Sequence, residues 1–248
     1  MTACRPYLIA ASCLVMTLAA IGRAGDTVAT YRLTWISTWS AETHPVDFPP
    51  NPHYSGIIGG THDVGVRFWE LGGIASPGME TMSETGSKTL LTAEVQDAIA
   101  TGHAGQVLSG GNINPSPGSR TFMFTIDSPH PLVTIVSMIA PSPDWFVGVD
   151  SLRLAQDGVW LDEIVVELHP YDTGTDSGTS YRSANDDTDP QEPIRDISHE
   201  FPFTGTPPLG TYTFTLVSVT GCAADFNDDG SVNTQDILVF FNLWKADC

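Results

Sequence analysis

The sequence predicts an all-β fold, an antiparallel β-sandwich, and three features of the chain lead to that class. Short runs rich in β-branched and aromatic residues recur along most of the length, their side chains partly alternate between apolar and polar, and turn-forming residues separate them. A chain of 248 residues that is 41% apolar is also large enough to bury the core of such a fold.

Six of these runs are predicted to form the strands. They are ATYRLTWISTW at 29–39, RTFMFTID at 120–127, LVTIVSMIA at 132–140, WFVGVDSLRL at 145–154, VWLDEIVVELHP at 159–170 and GTYTFTLVSVT at 210–220. Asp157 and Gly158, which separate the fourth run from the fifth, are typical of a tight hairpin turn because both residues tolerate positive φ angles.

Three further segments complete the body of the chain. LLTAEVQDAIAT at 90–101 is predicted to be a helix, and a short turn is expected near 78–85. The stretch SANDDTDPQEPIRDISHE at 183–200 is polar and contains proline, so it is interpreted as a surface loop rather than a domain boundary.

The first 24 residues have the pattern of a secretory signal peptide. Arg5 precedes the apolar stretch YLIAASCLVMTLAAI, and small residues at 22 and 24 place the cleavage before Gly25. A lipid anchor at Cys13 is an alternative, although cleavage there would divide the apolar stretch. No later run has the roughly 20 apolar residues that span a bilayer, so the protein is expected to be secreted or held at the cell surface.

The charge of the chain argues against two classes of partner. With 10 basic and 29 acidic residues, its formal net charge is −19. A protein this acidic repels nucleic acid and anionic lipid and attracts cations. Cys222 and Cys248 are the two cysteines left after the signal is removed, and in an oxidising compartment they are predicted to form a disulfide.

These cysteines flank a carboxyl-terminal unit, 221–248, whose stretch DFNDDGSVNTQD fits a twelve-residue calcium loop. The predicted ligands are the oxygens of Asp225, Asn227, Asp229, Ser231 (through its carbonyl), Asn233 and Asp236, with Gly230 at the sixth position, where the loop turns sharply. An apolar helix follows, with Ile237, Phe240, Phe241 and Trp244 spaced for one face. The alternative is an Asx-rich turn that only caps this helix.

The tail resembles a dockerin module. Aspartate at the twelfth position, where an EF-hand has glutamate, is seen in dockerins, and the resemblance implies a cohesin-like partner. Dockerins that bind cohesins carry two such segments, whereas this chain shows one.

A second acidic motif lies in the body of the chain. PYDTGTDSG at 170–178 puts Asp172 and Asp176 in a run of glycine, threonine and serine, and PSPDWFVGVDSL at 141–152 puts Asp144 just before a predicted strand. Like charges held together in a folded loop are unfavourable unless a cation offsets them. The motif therefore predicts a bound calcium ion, with Gly174 and Gly178 allowing the loop to bend around it.

These two strings, together with HPVDFPPNPHYSGIIGGTHDVGVRFWELGGIASPGMETMSETGS at 44–87, resemble the spondin domain at the amino terminus of F-spondin and mindin. The resemblance runs in order from about Tyr31 to Val217. It implies a β-sandwich at 25–220 that binds calcium at one end through Asp144, Asp172 and Asp176. Some members add a glutamate ligand, and Thr125 stands at the corresponding place here.

The function expected from these features is that of an exported adhesion or ligand-recognition protein that binds calcium at two sites and is not an enzyme. Its ligand would be an extracellular protein or a glycan. One alternative is a calcium-dependent membrane-binding module, in which Trp145 and Phe146 enter lipid. Another is a secreted metal-dependent hydrolase that uses His44, His53, His62 and Asp63.

Overall fold

The computed structural model describes residues 27–221, Phe226 and residues 234–246. The strands are β1 (Val28–Ser37), β2 (His53–Tyr54), β3 (Ile58–His62), β4 (Ala104–Ser109), β5 (Gly118–Asp127), β6 (Leu132–Ala140), β7 (Trp145–Arg153), β8 (Ala155–Gln156), β9 (Val159–Trp160), β10 (Glu163–Leu168), β11 (Tyr171–Asp172), β12 (Arg195–Asp196) and β13 (Gly210–Thr220). The helices are α1 (Pro77–Thr85), α2 (Thr89–Ala100) and α3 (Thr234–Ala246).

Several predicted features lie outside the described residues. They are the signal peptide at 1–24, the disulfide between Cys222 and Cys248, and the tail ligands Asp225, Asn227, Asp229, Ser231 and Asn233. The disulfide and the tail calcium loop therefore stay predictions.

The strands form two main antiparallel sheets. The smaller sheet has the order β10-β13-β1-β5, and the larger has the order β12-β11-β7-β6-β3-β4, with β2 paired to β6. β1 is central to the smaller sheet because it pairs along its ten residues with β5 and also with β13. The antiparallel sheets of the predicted all-β fold are confirmed, and the described part of the chain is mostly β.

One hydrophobic core lies between the two sheets. Along β1 the side chains of Tyr31, Leu33 and Trp35 are buried while the intervening ones are more exposed, as expected for a strand with one face toward a core. The ring of Trp35 packs edge-on at 5.1 Å from the ring of Tyr54 and 5.7 Å from that of Tyr212. Large aromatic side chains thus contribute much of the burial that holds the sheets together.

A second core lies on the opposite face of the larger sheet, under α1 and α2. Every residue of β6 is buried, with Val133 and Ile135 in the core between the sheets and Val136 and Met138 in the core under the helices. The fold is therefore a sandwich with a helical layer, which the expectation of an all-β protein did not include. The turn expected at 78–85 is the helix α1, where Ser76 Oγ accepts a hydrogen bond from the Met79 amide as an N-cap.

Five of the six predicted strands are confirmed as β1, β5, β6, β7 and β13, and the predicted helix at 90–101 is α2. The prediction of a single strand at 159–170 was wrong. Its residues divide between β9, which pairs with β8, and β10, which joins the smaller sheet, because the chain passes between sheets there. The hairpin turn is confirmed, since Asp157 and Gly158 have φ angles of 52° and 81°.

The sequence analysis missed β3 because its segment IGGTH looks like a loop. The glycines are needed for packing. A Cβ atom on Gly59 would lie 1.9 Å from the Thr134 carbonyl oxygen, and one on Gly60 would lie 2.7 Å from a Val95 methyl of α2. Gly59 and Gly60 thus let β6 and α2 approach the strand closely.

The tail helix α3 has the apolar side that the sequence predicts. Ile237, Phe240, Phe241 and Trp244 are between 42% and 59% exposed. None of the helices in the described part of the chain has the length and apolar character that a bilayer crossing requires.

Candidate metal centre

The three predicted body ligands lie at, or a few residues beyond, the ends of two neighbouring strands of the larger sheet. Asp144 immediately precedes β7, Asp172 ends β11, and Asp176 follows four residues later. Tyr171 and Asp172 pair with the first two residues of β7, which brings the three aspartates to one end of the sheet. All three are buried, with exposed fractions of 0%, 4% and 5% respectively.

Asp144 has one satisfied and one unsatisfied carboxylate oxygen. Its Oδ2 accepts hydrogen bonds from the amides of Thr175 at 2.8 Å and Asp176 at 3.2 Å. Its Oδ1 is buried and has no hydrogen-bond partner among the described residues. Burial, followed by the charge of Asp172, raises the pKa of Asp144 to about 7 despite the two amide hydrogen bonds. A buried carboxylate with an unpaired oxygen is costly, and a cation at Oδ1 would remove much of that cost.

Asp172 is held by a basic residue that the sequence analysis did not identify. Its Oδ1 accepts a hydrogen bond from the Gly174 amide at 2.9 Å, and its Oδ2 forms an ion pair with Arg195 at 2.8 Å. Burial raises the pKa of Asp172, and the Arg195 charge opposes that rise. Arg195 lies 23 residues away in sequence but directly opposite Asp172, because β12 pairs with β11.

Asp176 connects the loop at 183–200 to the loop at 170–178, which we call the aspartate loop. Its Oδ1 accepts a hydrogen bond from the Gly178 amide at 2.7 Å, and its Oδ2 accepts one from the Asp186 amide at 3.0 Å. Backbone bonds from Thr188 to Thr175 and from Glu192 to Gly174, both 2.8 Å, continue the contact. The polar loop at 183–200 is thus one wall of the site.

Three further acidic residues border this wall and were also missed. Among the described residues, Glu80, Glu84 and Asp187 are the one set of three acidic, histidine or cysteine residues whose potential ligand atoms all lie within 4.8 Å of one another. Burial raises the pKa of Glu84, its hydrogen bond with the Thr175 side chain lowers it, and the neighbouring charges of Glu80, Asp176 and Asp187 raise it further. Glu80 and Glu84 are four residues apart on α1, a spacing that places two side chains on one face of a helix.

Thr125 occupies a different environment. It lies on β5 of the smaller sheet, where the Nε2 of Gln106 donates to its carbonyl and hydroxyl oxygens. Thr125 therefore lies on a different sheet from β7 and β11, at whose ends the three aspartates lie.

The donor set fits calcium better than zinc. Calcium takes six to eight oxygen ligands in flexible geometry, whereas zinc prefers histidine and cysteine. Asp144, Asp172 and Asp176 supply carboxylate oxygens, one of which is buried and unsatisfied. The three carboxylates do not form a set within 4.8 Å in this structure, and Arg195 holds one Asp172 oxygen, so calcium would have to compete with that ion pair.

The histidines proposed for a hydrolase do not form a common site. His44 contacts Thr43 and the Pro207 carbonyl oxygen, and His53 contacts the Asn51 carbonyl oxygen. The imidazole of His62 is hydrogen-bonded between the Asp63 carbonyl oxygen at 2.7 Å and Thr134 Oγ1 at 2.8 Å. Burial lowers the pKa of His44 and of His62, which favours neutral rings. Each histidine thus has its own local partner, as structural groups do.

Trp145 and Phe146 do not support insertion into lipid. They are 2% and 0% exposed, and each lies in one of the two hydrophobic cores.

In the tail, Asp236 is the one predicted ligand within the described residues. It is 2% exposed in the first turn of α3, a position where a carboxylate also favours the helix dipole, so its placement does not distinguish a calcium ligand from a helix cap.

Replacing Gly174 by alanine is expected to destabilise the site loop strongly. Gly174 has a φ of +77°, and an added Cβ would lie 2.1 Å from the Glu192 carbonyl oxygen. The left-handed conformation alone costs a non-glycine residue about 1–2 kcal/mol, and the clash adds to that cost. Gly205→Ala is the matched control, since its φ is +74° and no atom of the described residues lies within 4 Å of the added atom. Urea unfolding should show a clearly larger loss for Gly174→Ala, and equal losses would contradict the predicted clash.

Comparison with known proteins shows relatives of the body of the chain. A family model described as Spondin_N matches residues 29–209. Spondin-1 of Gallus gallus is 38% identical over 182 residues, which are 68% of this chain and 22% of that protein. Spondin-2 of Homo sapiens is 32% identical over 203 residues, which are 76% of this chain and 61% of that protein. The chain thus covers about a fifth of the Spondin-1 relatives. The family match includes Asp144, Asp172 and Asp176 and ends before β13 and the tail.

Proposed function

Since the chain belongs to the Spondin_N family, we propose that it is an exported calcium-binding protein that recognises an extracellular protein or glycan ligand and catalyses no reaction. The observation that carries the calcium assignment is the buried Oδ1 of Asp144, which has no hydrogen-bond partner in the described part of the chain and lies close to two further buried aspartates. The ion would be held by Asp144, Asp172 and Asp176, with Glu84, whose pKa responds to the charge of Asp176, as a candidate for an additional carboxylate.

The role proposed for the ion is to fix the loops at one end of the sandwich. Asp172 and Asp176 each hold a loop amide, and Asp176 also holds the loop at 183–200 through the Asp186 amide. Beside these contacts is an open depression of about 520 Å³, lined mainly by small polar residues that include Ser177, Thr179 and Asn185. Hydroxyl and amide groups of this kind suit a polar ligand such as a glycan or a polar peptide segment.

The tail is proposed to bind a second calcium ion through the loop that ends at Asp236. The exposed apolar side chains of α3 leave a surface on which a tail partner could pack. A cohesin-like protein is the partner that the dockerin resemblance implies, and the Spondin_N match does not extend to this segment.

Calorimetric titration with calcium tests both assignments. The mature protein should show two binding sites. The body site should disappear in a variant with Asp172→Asn and Asp176→Asn, and the tail site should disappear in a variant with Asp225→Asn and Asp229→Asn. A body site that persists in the first variant would overturn the assignment of the aspartate loop.

Ligand recognition is tested separately. Labelled protein should bind surfaces coated with extracellular matrix in calcium and less in chelator, and the Asp172→Asn, Asp176→Asn variant should not respond to calcium. Calcium-dependent sedimentation with anionic phosphatidylserine vesicles, in the absence of matrix binding, would instead favour the membrane-binding alternative.

A further inference from the structure

A cleft at the side of the sandwich, separate from the aspartate oxygens of the metal centre, has the lining of a binding pocket. Its volume is about 440 Å³, and it lies between β7 of the larger sheet, β10 of the smaller sheet and the segment at 67–71. Pockets for small ligands or single side chains are often a few hundred cubic ångströms and combine an apolar wall with a few polar groups. We call this pocket the side cleft.

The apolar part of the side cleft contains two aromatic rings. Trp69 and Tyr171 both line it, with their ring centroids 5.0 Å apart. The rest of the apolar wall is formed by the aliphatic side chains of Leu71, Val149, Leu152 and Val166. An aliphatic stem can pack on such a wall, and the face of an aromatic ring attracts a cation.

The charged part of the side cleft is acidic. Arg67 is held between Glu70 at 2.8 Å and Asp150 at 3.2 Å, so its positive charge is already shared by two carboxylates. Glu167 is exposed on β10 and forms no ion pair with any described residue. The lining therefore carries three carboxylates against one guanidinium.

From this combination we propose that the side cleft binds a basic side chain, arginine or lysine, of a protein ligand. The aliphatic stem would pack on Val149 and Val166. The cation would lie beside Glu167 and the partly exposed ring of Tyr171, since Trp69 is only 6% exposed. An acidic side chain would leave the carboxylates of the side cleft without a partner. A purely apolar side chain would desolvate them. The proposal goes beyond calcium-dependent recognition, because none of the charged groups that line the side cleft belongs to the metal centre.

Titration with a minimal probe tests the proposal. Acetyl-arginine methylamide, added to the full-length protein in saturating calcium, is expected to shift the NMR signals of Trp69 and Tyr171, with an affinity in the millimolar range. Acetyl-citrulline methylamide has the same shape without the charge and should bind more weakly. Equal binding of the two probes, or shifts confined to residues outside the side cleft, would overturn the proposal.

Two variants of β10 supply a matched pair. Glu167→Gln removes the unpaired carboxylate of the side cleft, and it should weaken the arginine probe by roughly 1.5-fold to fivefold, the range of one exposed ion pair. Glu163→Gln removes an exposed charge from the same strand outside the lining, and it should leave the affinity unchanged. Equal effects of the two variants would mean that the probe responds only to net charge. Repeating the titration in chelator separates this site from the calcium assignment, since probe binding should survive loss of the ion.

Discussion

Calcium is expected to raise the midpoint of thermal unfolding of the mature protein by about 5–10 °C when the free ion is present at a hundred times its dissociation constant. Binding to the folded state alone at that concentration stabilises a protein by about 2.7 kcal/mol. For a domain of about 200 residues, each kcal/mol raises the midpoint by roughly 2–4 °C. The measurement is a pair of melting curves, one in calcium and one in chelator, recorded by circular dichroism.

Two variants identify which acidic residues are responsible for that shift. In a protein with Asp172→Asn and Asp176→Asn, calcium should no longer change the midpoint through the body site. Glu84→Gln should reduce the shift only in part, because Glu84 belongs to the neighbouring set with Glu80 and Asp187. If Glu84→Gln abolished the shift and the double variant kept it, the ion would bind at the glutamate set, and the predicted ligands would be wrong.

In chelator, the free energy of unfolding is expected to fall as the pH rises from 5 to 8, because of Asp144. Its pKa is about 7 in the folded protein, compared with an ordinary value of 3.8, so the folded state binds more protons between these values. The contribution of Asp144 to the free energy of unfolding is fully present below about pH 4 and is lost as the pH rises through 7. Over two pH units of this window, the free energy of unfolding should fall by roughly 3 kcal/mol.

Urea unfolding at pH 5 and pH 8 measures this loss, and Asp144→Asn should remove most of it. The difference between the two proteins isolates Asp144 from other titrating groups. Asp172, whose pKa is also raised, adds to the same trend, whereas His44 and His62, whose pKa values are lowered, make stability rise with pH below their ordinary value of 6.5. An unchanged pH dependence in Asp144→Asn would show that the carboxyl of Asp144 is not perturbed as described.

Local patterns were sufficient for much of the fold. The strands β1, β5, β6, β7 and β13 each combine β-branched or aromatic residues with a length typical of strands, and these properties are local. The same holds for the hairpin turn at Asp157 and Gly158, whose residue types suit its positive φ angles. The strand β3 was missed because its glycines serve close packing against β6 and α2, which no local pattern reveals.

The sequence by itself determined the sandwich class and the loop with Asp172 and Asp176 as a candidate site, because composition and short motifs carry that information, and the family resemblance added Asp144. Only the tertiary structure decided which groups meet. It brought Arg195 into an ion pair with Asp172 and placed Glu84 beside Thr175. It also placed the three histidines in separate environments. It left Asp144 Oδ1 buried without a hydrogen-bond partner among the residues that the structure describes. These contacts join residues far apart in the chain, and burial and strand pairing, which depend on the whole fold, set both their geometry and their charge.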